Sequence, residues 1–454
     1  MQRTVRGRLV SFAGDPAETP DAVRYWPDGI VAIDAGRIVA VGDAQAIAPT
    51  LPPETTVDYY PDHLIMPGFI DTHIHYVQVE AIASFGLQLL DWLENYAFVA
   101  EQKFADPAFA AKQARFFLDE LLRNGTTTAL VYCSMHAHSA EALFAEAERR
   151  GMAIAAGKVM MDRNAPDGLR DDATSSYAEC KHLIERWHKR GRARYAITPR
   201  FVLTSTHAQL DAAARLLREH PDCYLQTHLS ENLDEVAKVR QAFPDAASYT
   251  DVYRQYDLLG PTTVLGHCIH LSEDEMALLS HTRSVAAFCP TSNLFLGSGL
   301  FDLAAMTRKE RPVRVSLATD VGGGTSYSML RTADAAYKIC QLRGNKFSAY
   351  QAFHMLTRGN AHALGLEQEI GTLEPGRYAD LVVLDARATA AMRARMAAVH
   401  DRLDEELFVL MIMGDDRSVA ATYVQGEKVV EQQTQTSSPA EAGDDGRSSL
   451  HSRL

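Results

Sequence analysis

The chain has 454 residues, a formal net charge of −13 and 46% hydrophobic residues, enough to bury a large core. An acidic balance without basic runs argues against a nucleic acid or an anionic membrane as the main binding partner. No apolar run reaches the roughly 18 residues that a membrane span requires. The first residues, "MQRTVRGRLVSFAGD", lack the apolar core of a signal peptide. We therefore expect a cytoplasmic protein.

The cysteine pattern agrees with that expectation. The six cysteines are scattered and form no C-x-x-C pair. This spacing is typical of reduced core residues, and it does not fit a disulfide framework or a zinc knuckle. They are Cys133, Cys180, Cys223, Cys268, Cys289 and Cys340.

Both ends of the chain are predicted to form β-structure. The segment "GIVAIDAGRIVAVGD" has two short apolar runs around Asp34-Ala-Gly36, which predicts a hairpin. Near the other end, "PGRYADLVVLD" and "SVAATYVQGEKVV" show the same pattern, with a predicted turn at Gln425-Gly426. Because neither end has enough strands to close a core alone, we predict one small β-sandwich domain composed of residues 1–63 and 371–431. The polar residues 432–454 are predicted to be a disordered tail.

Between these ends, residues 64–370 alternate between β-rich runs and helical patterns such as "AKQARFFLDELLRNG". Eight strands that are each followed by a helix predict an α/β fold, a (β/α)8 TIM barrel. The interval after the first strand is longer and carries "GLQLLDWLENYAF", which we predict to be an amphipathic insertion near the functional site. The β-rich runs are "HLIMPGFIDTHIH", "GTTTALVYC", "MAIAAGKVMMD", "RYAITPRF", "YLQTHLSE", "TTVLGHCIH", "SVAAFCPTSN" and "VRVSLATD".

Two histidines, His73 and His75, end the first barrel strand in "DTHIH". Side chains at positions i and i+2 point to the same face of a strand. Both rings are therefore expected to point into the barrel, where an unpaired polar group is costly. The pair indicates metal ligation, although an H-x-H pair alone is a weak signal.

The carboxyl ends of later strands carry further polar residues. In this class of barrel the functional site forms where these ends meet. Imidazoles and a carboxylate at one rim supply the nitrogen and oxygen ligands that zinc takes, with one position left open for water in a catalytic site. The candidates are Arg200 after the fourth strand, His228 and Glu231 after the fifth, His267 and His270 after the sixth, and Asp320 in "LATDVGGG" after the eighth.

This combination resembles the amidohydrolase superfamily, whose pattern is H-x-H on the first strand, histidines on the fifth and sixth, and aspartate on the eighth. The resemblance covers nearly the whole chain, including the split β-domain. It implies a metal ion held by His73, His75, His228 and Asp320.

The resemblance also bears on the number of metal ions. Members with two metals usually carry a carboxylated lysine on the fourth strand, but here that strand ends in "ITPRF" and Lys158 lies one strand earlier. We therefore expect a single ion, zinc, although this ligand set would also accept iron or cobalt. In the mononuclear deaminases the histidine of the sixth strand orients the nucleophile, so His267 is expected to be a catalytic neighbour of the metal.

The stretch "THLSE" narrows the reaction. Glu231 follows His228 by three residues, beyond the strand, where its carboxyl group can lie over the metal without binding it. A metal lowers the pKa of bound water, and a carboxylic acid beside it can protonate a ring nitrogen of the substrate. Hydrolytic deamination of a heterocycle requires this pairing. The alternative is that Glu231 is a surface residue at the start of the helix "ENLDEVAKVR".

Within the superfamily the chain resembles the guanine deaminases. The resemblance implies that Gln78 and Arg200 read the edge of a purine base by hydrogen bonds and that Phe201 stacks on its ring. It further implies a homodimer. The same resemblance implies that four further residues contact the base, namely His75, His228, Glu231 and Asp320. The stretches that carry it are "PGFIDTHIHYVQ", "QLLDWLENY", "LLRNGTTTAL", "GKVMMDRNAPD", "YAITPRF", "FCPTSNLFLGSGLF" and "LATDVGGGTS".

The expected reaction is hydrolytic deamination of guanine to xanthine and ammonia. By the resemblance, hydroxide on the metal attacks C2, Asp320 takes its proton, His267 orients it and Glu231 protonates N3. Val77 and Ala97-Phe98-Val99 depart from the prolines common in the family, which leaves the substrate range less constrained than the reaction. Two alternatives stay open: a deaminase of another amino-substituted heterocycle, such as 8-oxoguanine or a triazine, and a non-catalytic barrel scaffold.

Overall fold

Two β-sheets form the framework of the described residues, 3–86 and 88–431, in the computed structural model of the protein. The predicted tail, residues 432–454, lies outside this part of the chain. The strands are β1 (Arg3–Phe12), β2 (Val23–Asp34), β3 (Arg37–Asp43), β4 (Thr56–Pro67), β5 (Phe69–His75), β6 (Thr126–Tyr132), β7 (Ala153–Gly157), β8 (Val159–Met160), β9 (Arg194–Pro199), β10 (Tyr224–Leu229), β11 (Thr263–His267), β12 (Val285–Phe288), β13 (Arg314–Leu317), β14 (Leu381–Leu384), β15 (Val419–Val424) and β16 (Glu427–Glu431).

Helices connect most of the strands, and none in the described residues combines the length and apolar character needed to cross a lipid bilayer. The α-helices are α1 (Ala44–Ile47), α2 (Leu89–Trp92), α3 (Phe98–Gln102), α4 (Pro107–Arg123), α5 (Ala137–Arg150), α6 (Ala173–Trp187), α7 (His207–Glu219), α8 (Leu233–Ala242), α9 (Tyr249–Gln255), α10 (Glu273–Thr282), α11 (Pro290–Phe295), α12 (Leu303–Met306), α13 (Met329–Leu342), α14 (Ala349–His354), α15 (Asn360–Ala363), α16 (Ala390–Met396) and α17 (Leu403–Met413). Turns of π-helix span Leu93–Ala97 and Met355–Gly359, and short 3-10 helices span Pro20–Ala22, Ala48–Thr50, Tyr76–Ala81, Lys103–Ala105, Asp167–Leu169, Val202–Thr204 and Asp416–Ser418.

Strands from both chain ends form one seven-stranded sheet, here called the terminal sheet, in the order β16-β15-β14-β4-β1-β2-β3. β1 and β4 run parallel, and the other neighbours are antiparallel. Successive residues of β14 point to opposite faces: Leu381 and Val383 pack in the core of the terminal sheet, whereas Val382 and Leu384 pack in the large core that includes the barrel. Both faces of the sheet are therefore buried at β14, and the predicted β-structure built from both chain termini is confirmed as a separate sheet.

The two predicted hairpin turns are confirmed. Ala35 and Gly36 have φ values of 48° and 77°, and Gln425 and Gly426 have φ values of 50° and 77°. Positive φ at both central residues is typical of two-residue turns whose twist matches that of the flanking strands. Each turn joins neighbouring antiparallel strands, β2 to β3 and β15 to β16.

The predicted barrel is confirmed as eight parallel strands in the order β5-β6-β7-β9-β10-β11-β12-β13, with the short β8 paired to β9. Every residue of β5, β6 and β7 is buried. Parallel strands are covered on both faces in this way because crossover helices pack outside the sheet.

Hydrogen bonds close the barrel between its first and last strands. The backbone N–H of Asp320 donates to the carbonyl of His73 at 2.9 Å, and the N–H of His75 donates to the carbonyl of Val321 at 2.7 Å. Below these bonds, the hydroxyl of Thr72 donates to that of Ser316 at 2.8 Å. The carboxyl end of β5 is thereby held against the segment that follows β13.

The run "HLIMPGFIDTHIH", predicted as one barrel strand, is two strands in two sheets. β4 ends at Pro67 in the terminal sheet and β5 begins at Phe69 in the barrel, so β4 crosses the predicted domain boundary between residues 63 and 64. Gly68 lies between the two strands, and only glycine fits there because a Cβ would clash with the side chain of Thr127. The apolar composition is continuous across the two strands, which hides the break from the sequence pattern.

Residues 385–418 contain helices that the sequence pattern did not predict. α16 and α17 lie between β14 and β15. α17 packs on the barrel helix α13, with the ring centroids of Phe408 and Tyr337 5.2 Å apart. The predicted insertion "GLQLLDWLENYAF" forms α2, a π-helical turn and the start of α3.

Asn360 bridges β5 and β13 below the site, so Asn360→Ala should destabilise the barrel. Its side chain accepts a hydrogen bond from Leu317 N at 2.9 Å and donates to Leu317 O and Ile70 O at 2.7 and 2.6 Å. The substitution removes three hydrogen bonds to buried backbone groups, and we expect a loss of about 2 to 4 kcal/mol in unfolding free energy. Calorimetric melting of both proteins measures it.

Asn95→Ala is the matched control, because Asn95 is exposed and, among the described residues, its side chain bonds only to Asp91 O within its own helical segment. We expect it to change stability by less than about 0.5 kcal/mol. Equal effects of the two substitutions would contradict the role given to Asn360.

Candidate metal centre

His73 and His75 extend from the end of β5 into the barrel, as the i and i+2 spacing predicts. Their side chains are 0% and 2% exposed. The ring of His73 reaches across the barrel interior to the backbone of β11, where a Cβ at Gly266 would come within 2.5 Å of His73 Cε1. Glycine at that position therefore makes room for the imidazole.

The structure brings His228, His267 and Asp320 to the same place from three other strands. Asp320 Oδ1 lies 3.4 Å from both His73 Nε2 and His75 Nε2. His228 Nε2 lies 3.3 Å from His75 Nε2. The ligand atoms of His73, His75 and His228 all lie within 4.8 Å of one another.

The backbone bends sharply where these side chains leave the strands. His267, Cys268 and Asp320 have φ values of 71°, 52° and 53°, and Ser230, beside Glu231, has a φ of 50°. The left-handed conformation costs roughly 1 to 2 kcal/mol for a residue with a Cβ. Such residues cluster at functional sites, where the surrounding structure maintains the strain.

The donor set fits a metal ion. Nδ1 of His73 and of His75 and Nε2 of His73 are buried and have no hydrogen-bond partner within the described residues. Burial lowers the pKa of His75 to about 4 and the pKa of His228 well below its usual range, so both rings are neutral, as ligation requires. Burial raises the pKa of Asp320, but the imidazoles of His73 and His75, 3.4 Å away, outweigh it and hold that pKa well below its ordinary value.

Second partners orient two of the histidines. His228 Nδ1 lies 2.7 Å from the carbonyl of Arg200, which leaves Nε2 facing the cluster. His267 Nδ1 lies 3.0 Å from Asn293 Oδ1, so Nε2 of that ring also faces inward. Partners of this kind set the ring tautomer and orientation at metal sites.

Glu231 lies beside the cluster and is 2% exposed, so the alternative of a surface residue is wrong. Its Oε2 lies 3.2 Å from His267 Nε2, and its Oε1 accepts a hydrogen bond from the Ser298 hydroxyl at 3.2 Å. Burial and the nearby charge of Asp320 raise the pKa of Glu231 to about 8. Its carboxyl group is therefore mostly protonated at neutral pH and can act as an acid.

A pocket opens over these groups, and the remaining predicted site residues line it. Gln78, Arg200 and Phe201 form part of its wall with His75, His228, Glu231, His267 and Asp320. Leu89, Trp92 and Leu93 of the insertion supply an apolar side. The insertion thus lies near the site, as predicted, and offers a planar ring an apolar surface.

Arg200 and Gln78 share a partner that the sequence analysis missed. Glu101, 0% exposed, accepts hydrogen bonds from Arg200 Nη1 at 2.8 Å to each carboxylate oxygen and from Gln78 Nε2 at 2.8 Å. Arg200 therefore pairs with a buried carboxylate from outside the barrel strands, and the same arginine side chain also lines the pocket.

Other contributing residues were missed because no motif marks them. Asn293 contacts His267 from 26 positions away and Ser298 contacts Glu231 from 67 positions away. Cys289 also lies in the cluster with His73, His267 and Asp320. Burial raises the pKa of Cys289 well above its usual value, so it stays a thiol and donates to Ala287 O.

Three other polar residues lie outside the cluster or support it indirectly. His138, which forms a second H-x-H pair with His136, contacts the carbonyl of Phe104 through Nε2, and its ring stacks on that of His136. Lys158 forms ion pairs with Asp171 and Glu179 at 2.9 and 2.6 Å. His270 contacts the carbonyl of Ser298 at 2.8 Å and so supports the residue that hydrogen-bonds Glu231.

Residues 64–429 match the model of the amidohydrolase family, and the chain belongs to this family. It is 47% identical over 432 residues to the guanine deaminase of Escherichia coli, covering 94% of this chain and 98% of that protein. The solved structure of E. coli guanine deaminase superimposes with a TM-score of 0.93 over 95% of this chain and all of that one. A guanine deaminase from C. acetobutylicum, solved with guanine bound in its active site, is 28% identical, with a TM-score of 0.84 over 95% of this chain and all of that one.

The clustered nitrogens predict that purified protein retains metal and that His73→Ala loses it. We expect bound metal to fall at least about tenfold, since loss of even a residue that supports a ligand costs that much. Mass spectrometry of the elements in dialysed protein measures the metal per chain.

His136→Ala is the control, because His136 belongs to the other H-x-H pair and lies outside the cluster. It should leave the metal content unchanged. Equal metal retention by the two variants would contradict the assignment of His73.

Proposed function

We propose that the protein hydrolyses guanine to xanthine and ammonia. The observation that carries this proposal is the buried acid Glu231 beside a cluster of histidines and an ionised aspartate, in a pocket lined by Gln78 and Arg200. The 47% identity to the E. coli guanine deaminase, over nearly the full length of both chains, supports it.

The ligands proposed for a single metal ion are His73, His75, His228 and Asp320, and zinc suits such nitrogen and oxygen donors. When bound, the ion lowers the pKa of a water molecule and so makes a nucleophile available near neutral pH. The pairing of Lys158 with two carboxylates argues against its service as a bridging ligand for a second ion.

The chain's own groups move the protons. Glu231 protonates N3 of guanine as water adds to C2, and Asp320, held as a carboxylate, accepts the proton that the water loses. His267 orients the water through Nε2, because its Nδ1 is held by Asn293. Glu231, now a carboxylate, takes the proton of the new C2 hydroxyl as the carbonyl of xanthine forms and passes it to the departing amino group, which leaves as ammonia. The proton held by Asp320 then returns to Glu231.

Residues of the pocket wall bind the base. Arg200 donates to a ring carbonyl, Gln78 bonds the neighbouring edge, and Phe201 packs on the ring face. The apolar side chains of Leu89, Trp92 and Leu93 exclude bulk water, which strengthens these polar contacts.

We further propose that the enzyme is a cytoplasmic homodimer that acts in guanine catabolism. The six cysteines are all free and buried, which suits a reducing compartment. The dimer rests on the resemblance to the guanine deaminases.

Glu231→Gln should lower kcat for ammonia release from guanine about 100- to 10,000-fold, because an amide cannot supply the proton that N3 requires. Bound metal should not change. Exposed Glu427 in the terminal sheet supplies the control, and Glu427→Gln should behave as wild type. Near-normal turnover by Glu231→Gln would exclude Glu231 as the acid.

A substrate panel tests the proposed reaction against both alternatives. We expect ammonia release to be fastest from guanine among guanine, 8-oxoguanine, adenine, cytosine and ammeline, and to stop when the metal is chelated. Faster turnover of another ring would reassign the substrate. Metal-loaded protein that acts on none of them would favour the non-catalytic scaffold.

A further inference from the structure

A carboxylate outside the pocket holds both of the polar side chains proposed to read the base. Glu101 lies in α3, separated from Gln78 by 23 positions and from Arg200 by 99. It is fully buried and is absent from the pocket lining, whereas Gln78 and Arg200 form part of that lining. Glu101 can therefore act on a bound base only through these two residues.

The contacts determine which way the amide of Gln78 faces. A carboxylate only accepts hydrogen bonds, so the nitrogen of Gln78 must face Glu101, at 2.8 Å. On the other side, the backbone N–H of Gly322 donates to Gln78 Oε1 at 3.3 Å. Glu101 and Gly322 therefore require the same orientation of the Gln78 amide, with its nitrogen towards Glu101 and its oxygen towards Gly322.

The guanidinium of Arg200 is held in a similar way. Nη1 donates to both oxygens of Glu101 at 2.8 Å, and the cation lies 5.2 Å from the ring centroid of Phe98. Within the described residues the guanidinium donates no other hydrogen bond, so Nε and Nη2 keep donors for a ligand. Glu101 also neutralises a cation that would otherwise be buried beside an uncharged base.

A buried ion pair is weak evidence for stability, because the cost of removing both charges from water offsets most of their attraction. A role in stability alone would also not require Glu101 to accept a hydrogen bond from Gln78 in addition to its two from Arg200. A shared acceptor that joins two pocket side chains is suited to setting their relative positions.

We propose that Glu101 is a positioning residue that sets Arg200 to recognise the 6-oxo group of a purine and holds Gln78 beside it. The inference rests on the proposed function, since it assigns the determinant of base recognition at the same site. Arg200 would meet the ring oxygen with a donor already aligned, and a base without that oxygen would gain nothing from the alignment.

The test compares the binding of two purines that differ at position 6 and lack the amino group to be removed. Hypoxanthine carries the 6-oxo group and purine does not. In Glu101→Gln one acceptor oxygen becomes an NH2 group, which cannot accept from Arg200 or Gln78. We expect the Kd of hypoxanthine to rise about 10- to 100-fold and the Kd of purine to change less than about threefold, by titration calorimetry of metal-loaded protein.

Glu406→Gln is the matched control. Glu406 is also a buried carboxylate paired with an arginine, Arg8, at 2.6 and 2.8 Å, and it lies outside the pocket lining. This variant should leave both Kd values unchanged. If Glu101→Gln does not fold, Glu101→Asp provides the test, because it keeps two acceptor oxygens set back by one methylene. It should raise the Kd of hypoxanthine about 3- to 10-fold, with purine affected less than about twofold.

Equal changes in the two Kd values, or no change in either, would overturn the inference, because a merely structural role cannot distinguish ligands that differ at position 6. Ammonia release from guanine by the wild-type protein is measured separately. Its absence would overturn the proposed function, whereas the calorimetric comparison needs no turnover, so the two failures can be told apart.

Discussion

The candidate site depends on the backbone hydrogen bonds that close the barrel between β5 and the segment after β13. Asp320 donates to the carbonyl of His73, and His75 donates to the carbonyl of Val321. Three of the residues with donor atoms at the site therefore also form the closure. Strand pairing alone would bring the ends of distant segments to one rim of the barrel. The closing hydrogen bonds then hold Asp320 at 3.4 Å from the imidazoles of His73 and His75.

Burial largely determines the protonation state of the titratable groups at the site. The pKa of His75 falls to about 4, and that of His228 falls as well, because burial disfavours the charged imidazole. The pKa of Glu231 rises to about 8 for the same reason, because the ionised carboxylate is the disfavoured form. Asp320 stays ionised only because histidine contacts outweigh its burial. One desolvated space thus contains an acid, an anion and neutral nitrogen donors, a division of roles that general acid–base chemistry uses.

The insertion after β5 adds an apolar side to the pocket, through Leu89, Trp92 and Leu93. α3, which begins at the last residue of the insertion, places Glu101 between Gln78 and Arg200. The groups proposed to react belong to barrel strand ends, whereas the apolar side of the pocket and Glu101 belong to the connection between β5 and β6.

The barrel, the two hairpin turns and most of the polar cluster could be predicted from the sequence, because each leaves a local mark. Strands and helices have different apolar periods, a turn with positive φ favours glycine, and the i and i+2 spacing of His73 and His75 places both on one face. Other features leave no such mark. The break at Gly68 lies within a continuous apolar run, and Glu101, Asn293 and Ser298 lie far along the chain from the side chains they bond. A buried polar group acquires its partner only when packing removes water and brings distant segments together, so those pairings were decided by the tertiary structure.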